Sequence, residues 1–197
     1  MTPPDRRKPA TSPQPKGSEP AQILPYLYLG SRFTSTPEIA LAHGITHIIS
    51  VGCTPMQGIK SISYHRLRLE DTPDADIKVA IELAIAIINN AKSQTNKPGR
   101  VLVHCVAGIS RSPSILAGYM MREEGMSLRD ALGVLVRARP RVRPNEGFFK
   151  QLKEVELTIR ETVSLEVDVF PTTVKERLRL LGDDATKDKD AQKPQKT

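Results

Sequence analysis

The chain has 197 residues, with 29 Lys+Arg against 22 Asp+Glu and a formal charge of +7, which is room for one domain of ordinary size with tails. Hydrophobic residues at 39% and charged residues at 26% fit a soluble globular protein and exclude a wholly disordered chain. No apolar run approaches the ~20 residues of a membrane span, and the two cysteines, Cys53 and Cys105, exclude a disulfide framework or a four-cysteine zinc site.

The N-terminus has no apolar core and does not read as a secretory signal. The expected compartment is the reducing cytosol or nucleus. Aromatics at 4% offer few stacking platforms, so no nucleic-acid partner is expected. A solvated surface or an anionic substrate suits the positive balance.

Residues 1–21 read as a disordered arm, since six of the sixteen prolines fall in the first twenty positions. Tyr26 to Gly30 is a short strand, and Pro37 to His43 forms one or two helical turns closed by Gly44. Ile45 to Val51 is a buried strand, and Ile62 to Leu69 a strand of rougher alternation. Asp76 to Ala91, rich in Ile, Ala and Leu, is a well-buried helix, and Arg100 to His104 an apolar strand. A helix follows from Ser112, as N-cap, to Glu124, with Pro113 in its first turn and Gly125 after it. Ser127 and Asp130 form a capping box for a helix to Val136. Asn145 to Glu161 is the long last helix of the compact unit, residues 22–162. Beyond it, Val174, Leu178 and Leu181 recur at helical spacing, so 163–182 reads as a helical extension packed on the domain. Residues 183–197, with four lysines matched by four aspartates, read as a disordered tail. Strands alternating with helices predict an α/β layer fold with no internal repeat.

The chemistry lies in RVLVHCVAGISRSPS, residues 100–114. A buried strand ending at His104, a loop from Cys105 to Arg111 and a helix from Ser112 put Cys105 before a helix N-terminus. Loop N–H groups and the helix dipole converge there on a nest for a tetrahedral oxyanion. Arg111 adds a planar fork for two phosphate oxygens. The same field lowers the thiol pKa, so Cys105 becomes a thiolate able to attack phosphorus. Ser112 can hydrogen-bond that thiolate and improve it as a leaving group. His104 positions the loop from behind, through backbone hydrogen bonds, and is not the base. Cys53, by contrast, reads as a buried hydrophobe.

His104 to Ser112, HCVAGISRS, resembles the phosphate-binding loop of cysteine-dependent protein phosphatases of the dual-specificity branch. Tyr26 to Ser31 resembles that family's opening strand, and Arg143-Pro-Asn-Glu-Gly-Phe148 its Pro-Asn turn. The resemblance implies a central mixed, mostly parallel sheet flanked by helices, a shallow site, a phosphoprotein substrate, and no metal or cofactor. It also implies a small, atypical member with no kinase-docking domain, and leaves the oligomeric state open. Backbone amides of Val106, Ala107, Gly108, Ile109, Ser110 and Arg111 would hold the phosphate, and Asn145 would match a buried Asn that braces the loop or simply cap the helix.

A leaving-group acid is also required. Glu70, Asp71, Asp74 and Asp76 occupy the loop after the third predicted strand, Ile62 to Leu69. Asp71 matches the family's acid best, Asp74 is the fallback, and Asp76 belongs to the helix start. Arg137, Arg139, Arg141 and Arg143 read either as a basic rim or as solvated charge. Two other readings stay open: the same chemistry on a phosphoinositide or RNA 5′-phosphate, and a silent phosphoresidue-binding scaffold. The neutral Val106, Ala107 and Ile109 favour protein over lipid or RNA.

Overall fold

Three short strands buried at every position give one sheet a dry face on each side. The architecture comes from a computed structural model that describes residues 19–56, 58–94 and 98–182. The tail 183–197, and all of the arm before residue 19, lie outside the described residues.

The strands are β1 (Ala21–Leu24), β2 (Leu27–Ser31), β3 (His47–Val51), β4 (Ser63–Leu67) and β5 (Val101–Cys105), in the order β1-β2-β5-β3-β4. From β2 to β4 the pairing is parallel, and β1 pairs antiparallel with β2 through Ala21↔Leu29 and Gln22↔Tyr28. The sheet is therefore mixed and mostly parallel. The arm boundary at residue 21 needs correction, because Ala21 already opens β1. Pro25 and Tyr26 turn the chain back on itself there, and the hairpin partner provides a pairing that composition does not reveal. β4 pairs only with β3, at the edge, which explains its looser alternation.

Leu27, Leu29, Ile49, Val51, Val101, Val103 and Cys105 point into the larger core. Helices α2 (Lys78–Lys92), α3 (Arg111–Glu123), α4 (Leu128–Ala138) and α5 (Glu146–Arg160) cover that face. The other face carries Tyr28, Ile48 and Leu102 against Ala40 of α1 (Pro37–Ala42). Helix α3 is the hub: every residue from Ser112 to Met121 is buried. The α2 reading as a well-buried helix needs narrowing, since only one face is inside and Val79 and Leu83 are exposed.

Ser127 caps α4, its Oγ accepting from the Asp130 amide at 3.1 Å and donating to Asp130 Oδ2 at 2.6 Å. A second cap comes from afar: the fully buried Glu156 carboxylate on α5 accepts from Leu128 N at 2.7 Å, satisfying an amide with no partner inside its own helix. The segment after α5 is helical only over α6 (Val174–Leu180); residues 163–173 run as an irregular strap.

β5 lies between β2 and β3, strands that precede it in the chain, so its carboxyl end is a point where the order of the sheet reverses. In open α/β sheets such ends carry the ligand crevice.

Candidate active site

Cys105 is the last residue of β5 and is 2% exposed. The loop is thus 106–110, one residue shorter at each end than the sequence suggests, and α3 starts at Arg111 with Ser110 at the N-cap position. Ser112 is not the cap. It sits inside the first turn, where its hydroxyl donates to Cys105 Sγ at 3.3 Å, because the turn at Ser110 already begins the helix. The Gly108 amide donates to the same sulfur at 3.2 Å. Burial works to raise the Cys105 thiol, but the Ser112 hydroxyl and the amides of Ser112, Gly108 and Ile109 outweigh it, and its pKa is lowered. These donors all favour the charged thiolate.

The loop holds its amides inward because its carbonyls are tied outward. Arg139 Nε and Nη2 donate to the carbonyls of Gly108 (3.1 Å) and Ala107 (3.0 Å), and the Arg143 amide donates to that of Ile109 (2.8 Å). The Arg32 amide takes the Val106 carbonyl at 3.1 Å. Gly108 has φ +67°, and a Cβ there would lie 2.4 Å from the Gly30 carbonyl oxygen, so only glycine fits.

Arg111 Nη1 donates to the Gly52 carbonyl at 3.0 Å, fixing one edge of the guanidinium. Its Nε is buried and makes no hydrogen bond among the described residues, although Asp71 Oδ2 lies 3.5 Å away. A fork pinned on one side with a spare buried donor is built to receive an oxyanion.

His104 lies behind, on the opposite face of β5 and fully buried. Burial, with a smaller push from Arg32, lowers its pKa against the Cys105 carbonyl. A neutral ring that donates from Nδ1 to that carbonyl (3.2 Å) and accepts at Nε2 from Ser50 Oγ (2.8 Å) satisfies both contacts. Cys53 is buried, as read from the sequence, with its Sγ 3.9 Å from the same ring.

Asp71 reaches this centre and Asp74 does not. Asp71 lines the cleft floored by Cys105, and its Oδ1 accepts from Ser110 Oγ (2.6 Å) and Asn145 Nδ2 (3.0 Å). Asp76 Oδ1 instead takes the Lys78 amide at the start of α2. Asn145 caps α5 through the Phe148 amide at 2.9 Å, and its own amide donates to Ser110 Oγ at 3.1 Å. It is half-buried, not buried, and its side chain holds the Asp71 carboxylate while its backbone braces the loop.

A family model for the dual specificity phosphatase catalytic domain matches residues 27–158. The chain belongs to this family. Dual specificity protein phosphatase 15 of Mus musculus is 35% identical over 139 residues, covering 70% of this chain and 58% of that protein. The chain spans about half the length of the curated relatives it matches. The crystal structure of DUSP15 aligns with a TM-score of 0.64 and 32% identity, over 75% of this chain and 99% of that one. That of the human tyrosine phosphatase-like serine/threonine/tyrosine-interacting protein aligns at 0.65 and 32%, over 72% and 97%.

Within this dual specificity phosphatase domain, two side-chain roles escaped the sequence reading. The Ser110 hydroxyl joins the loop to the Asp71 carboxylate, and Arg139 pins two loop carbonyls although it reads as rim or solvated charge. The only sequence signal was their place inside the loop motif and beside the Pro-Asn turn. The cleft, about 720 Å³, also takes Arg143 and three residues of the strap, Val169, Phe170 and Thr172.

Proposed function

We propose that the protein is a phosphatase that hydrolyses phosphotyrosine and phosphoserine or phosphothreonine esters of proteins through a cysteinyl-phosphate intermediate. The observation that carries this reading is the sulfur of Cys105, buried yet held by the Ser112 hydroxyl and the Gly108 amide beneath a loop whose carbonyls are all turned away.

The thiolate attacks phosphorus, forming the S–P bond as the ester P–O bond breaks. Asp71 gives its proton to the departing oxygen. Its Oδ1 accepts from Ser110 and Asn145, and its Oδ2, 3.5 Å from Arg111 Nε, carries the proton that is transferred. Loop amides and the Arg111 fork hold the equatorial oxygens of a loose transition state. In the second step the Asp71 carboxylate takes a proton from water, the water oxygen bonds to phosphorus and the S–P bond breaks. The thiolate returns to its two donors and inorganic phosphate leaves. No metal enters any step.

A silent scaffold is the second reading, since one structural neighbour is described as a phosphatase-like interacting protein. Nucleophile, fork and acid together in this chain favour turnover. The test is release of nitrophenol from p-nitrophenyl phosphate and of phosphate from phosphopeptides. Turnover lost in Cys105→Ser supports the reading; binding of phosphopeptides without turnover by the wild type contradicts it.

A further inference from the structure

The matched catalytic domain ends at residue 158, yet the chain beyond it returns to the catalytic cleft. The strap is not loosely laid. Leu165 is fully buried, and Phe170, 3% exposed, packs its ring 5.3 Å from that of Phe149 on α5. Lys153 Nζ donates to the Val167 carbonyl at 2.9 Å. Arg177, on α6 and 3% exposed, donates to the carbonyls of Pro171 (2.9 Å), Thr172 (2.7 Å) and Pro140 (2.8 Å). Pro140 follows Arg139, the residue that pins the phosphate loop, so strap and loop share one frame.

This anchoring stands Val169 with Pro73 as an apolar wall of the cleft, backed by the buried Phe170. Val169 keeps 53% of its surface exposed, so the wall is uncovered. The family resemblance implied a shallow site; the strap adds height to one side of it. The wall lines the same cleft as Cys105, so the ester carbons of a phosphate seated in the loop can lie against it. In phosphoserine the next atoms are one methylene and then polar backbone. In phosphotyrosine a six-carbon ring stands between oxygen and backbone, and ring against apolar wall removes apolar surface from water.

We propose that the strap 163–173 is the substrate-selecting element of this enzyme, seating the aromatic ring of phosphotyrosine against Val169, which lines the cleft with Pro73, and so favouring phosphotyrosyl over phosphoseryl proteins. The proposal rests on the phosphatase reading above. It assigns a binding role to residues outside the catalytic domain of the family.

The test uses the full chain and two peptides identical but for phosphotyrosine or phosphoserine, with p-nitrophenyl phosphate in parallel. The wild type favours the phosphotyrosyl peptide by at least ~10-fold in kcat/KM, the scale on which an apolar contact discriminates. Val169→Asp, at a half-exposed position that tolerates a polar side chain, puts a carboxylate where the ring would lie. It lowers kcat/KM for the phosphotyrosyl peptide about tenfold, chiefly through KM, and the phosphoseryl value far less. Equal use of the two peptides by the wild type, or equal losses in the variant, overturns the proposal while nitrophenol release leaves the phosphatase reading standing. A wild type inert toward all three substrates overturns the phosphatase reading itself.

Discussion

Removing one hydroxyl, in Ser112→Ala, tests how this fold makes a buried thiol reactive. The side chain is fully buried and differs from alanine by a single oxygen, so the packing of α3 is kept. The thiol is held low by hydrogen bonds that outweigh burial, and the Ser112 hydroxyl is the strongest of these. Without it burial meets less opposition, the thiol titrates at higher pH, and the acidic limb of kcat/KM moves up. A hydrogen bond to a charged group is worth about 1.5–3 kcal/mol. The same donor stabilises the thiolate as it leaves the cysteinyl phosphate, so breakdown of that intermediate slows by ~10–100-fold. The assays are a pH profile on p-nitrophenyl phosphate, alkylation by iodoacetamide against pH, and rapid-mixing detection of a nitrophenol burst. An unmoved acidic limb with no burst would refute the reasoning, because the Ser112 contact at 3.3 Å would then do nothing for the sulfur.

Three further outcomes follow from the same geometry. Arg111→Lys keeps the charge but loses the fork pinned at Gly52; turnover stays at least ~100-fold down and vanadate affinity falls with it, and near-normal values for both would remove Arg111 from the site. Asp71→Asn costs little with aryl phosphates of good leaving group and ~10²–10⁴-fold with alkyl phosphates, and the same pattern in Asp74→Asn instead would move the acid by three residues. In Gly147→Ala the new Cβ would meet the Pro73 carbonyl oxygen at 1.7 Å, so the acid loop is pushed from α5; poor leaving groups lose activity by more than about tenfold while good ones are spared, and a uniform loss would mean that the loop does not position Asp71.

The strand, loop and helix around Cys105 were legible because their residues are contiguous and each of three short elements constrains the next. Asp71 was legible only as one choice among four carboxylates, since what sets it apart in the fold is contact with Ser110 and Asn145, 39 and 74 positions away. Arg139 and Arg177 were illegible for a related reason. A guanidinium that ties carbonyls together reads in a sequence like any solvated charge. The apolar pattern of the extension did mark its inward side at Leu178 and Leu181, but Val174 is exposed and the anchor is the buried Arg177. β1 was hidden because an edge strand of four residues takes its identity from the strand it pairs with.

Covalent catalysis at Cys105 is most directly tested by acid-quenching the 197-residue chain in the steady state with a phosphorylated substrate and locating the phosphate by mass spectrometry. The geometry predicts a single added phosphoryl group on Cys105, more abundant in Ser112→Ala and absent from Cys105→Ser, which should be inactive but still bind vanadate. Undiminished turnover by Cys105→Ser, or phosphate found on any other residue, would contradict it.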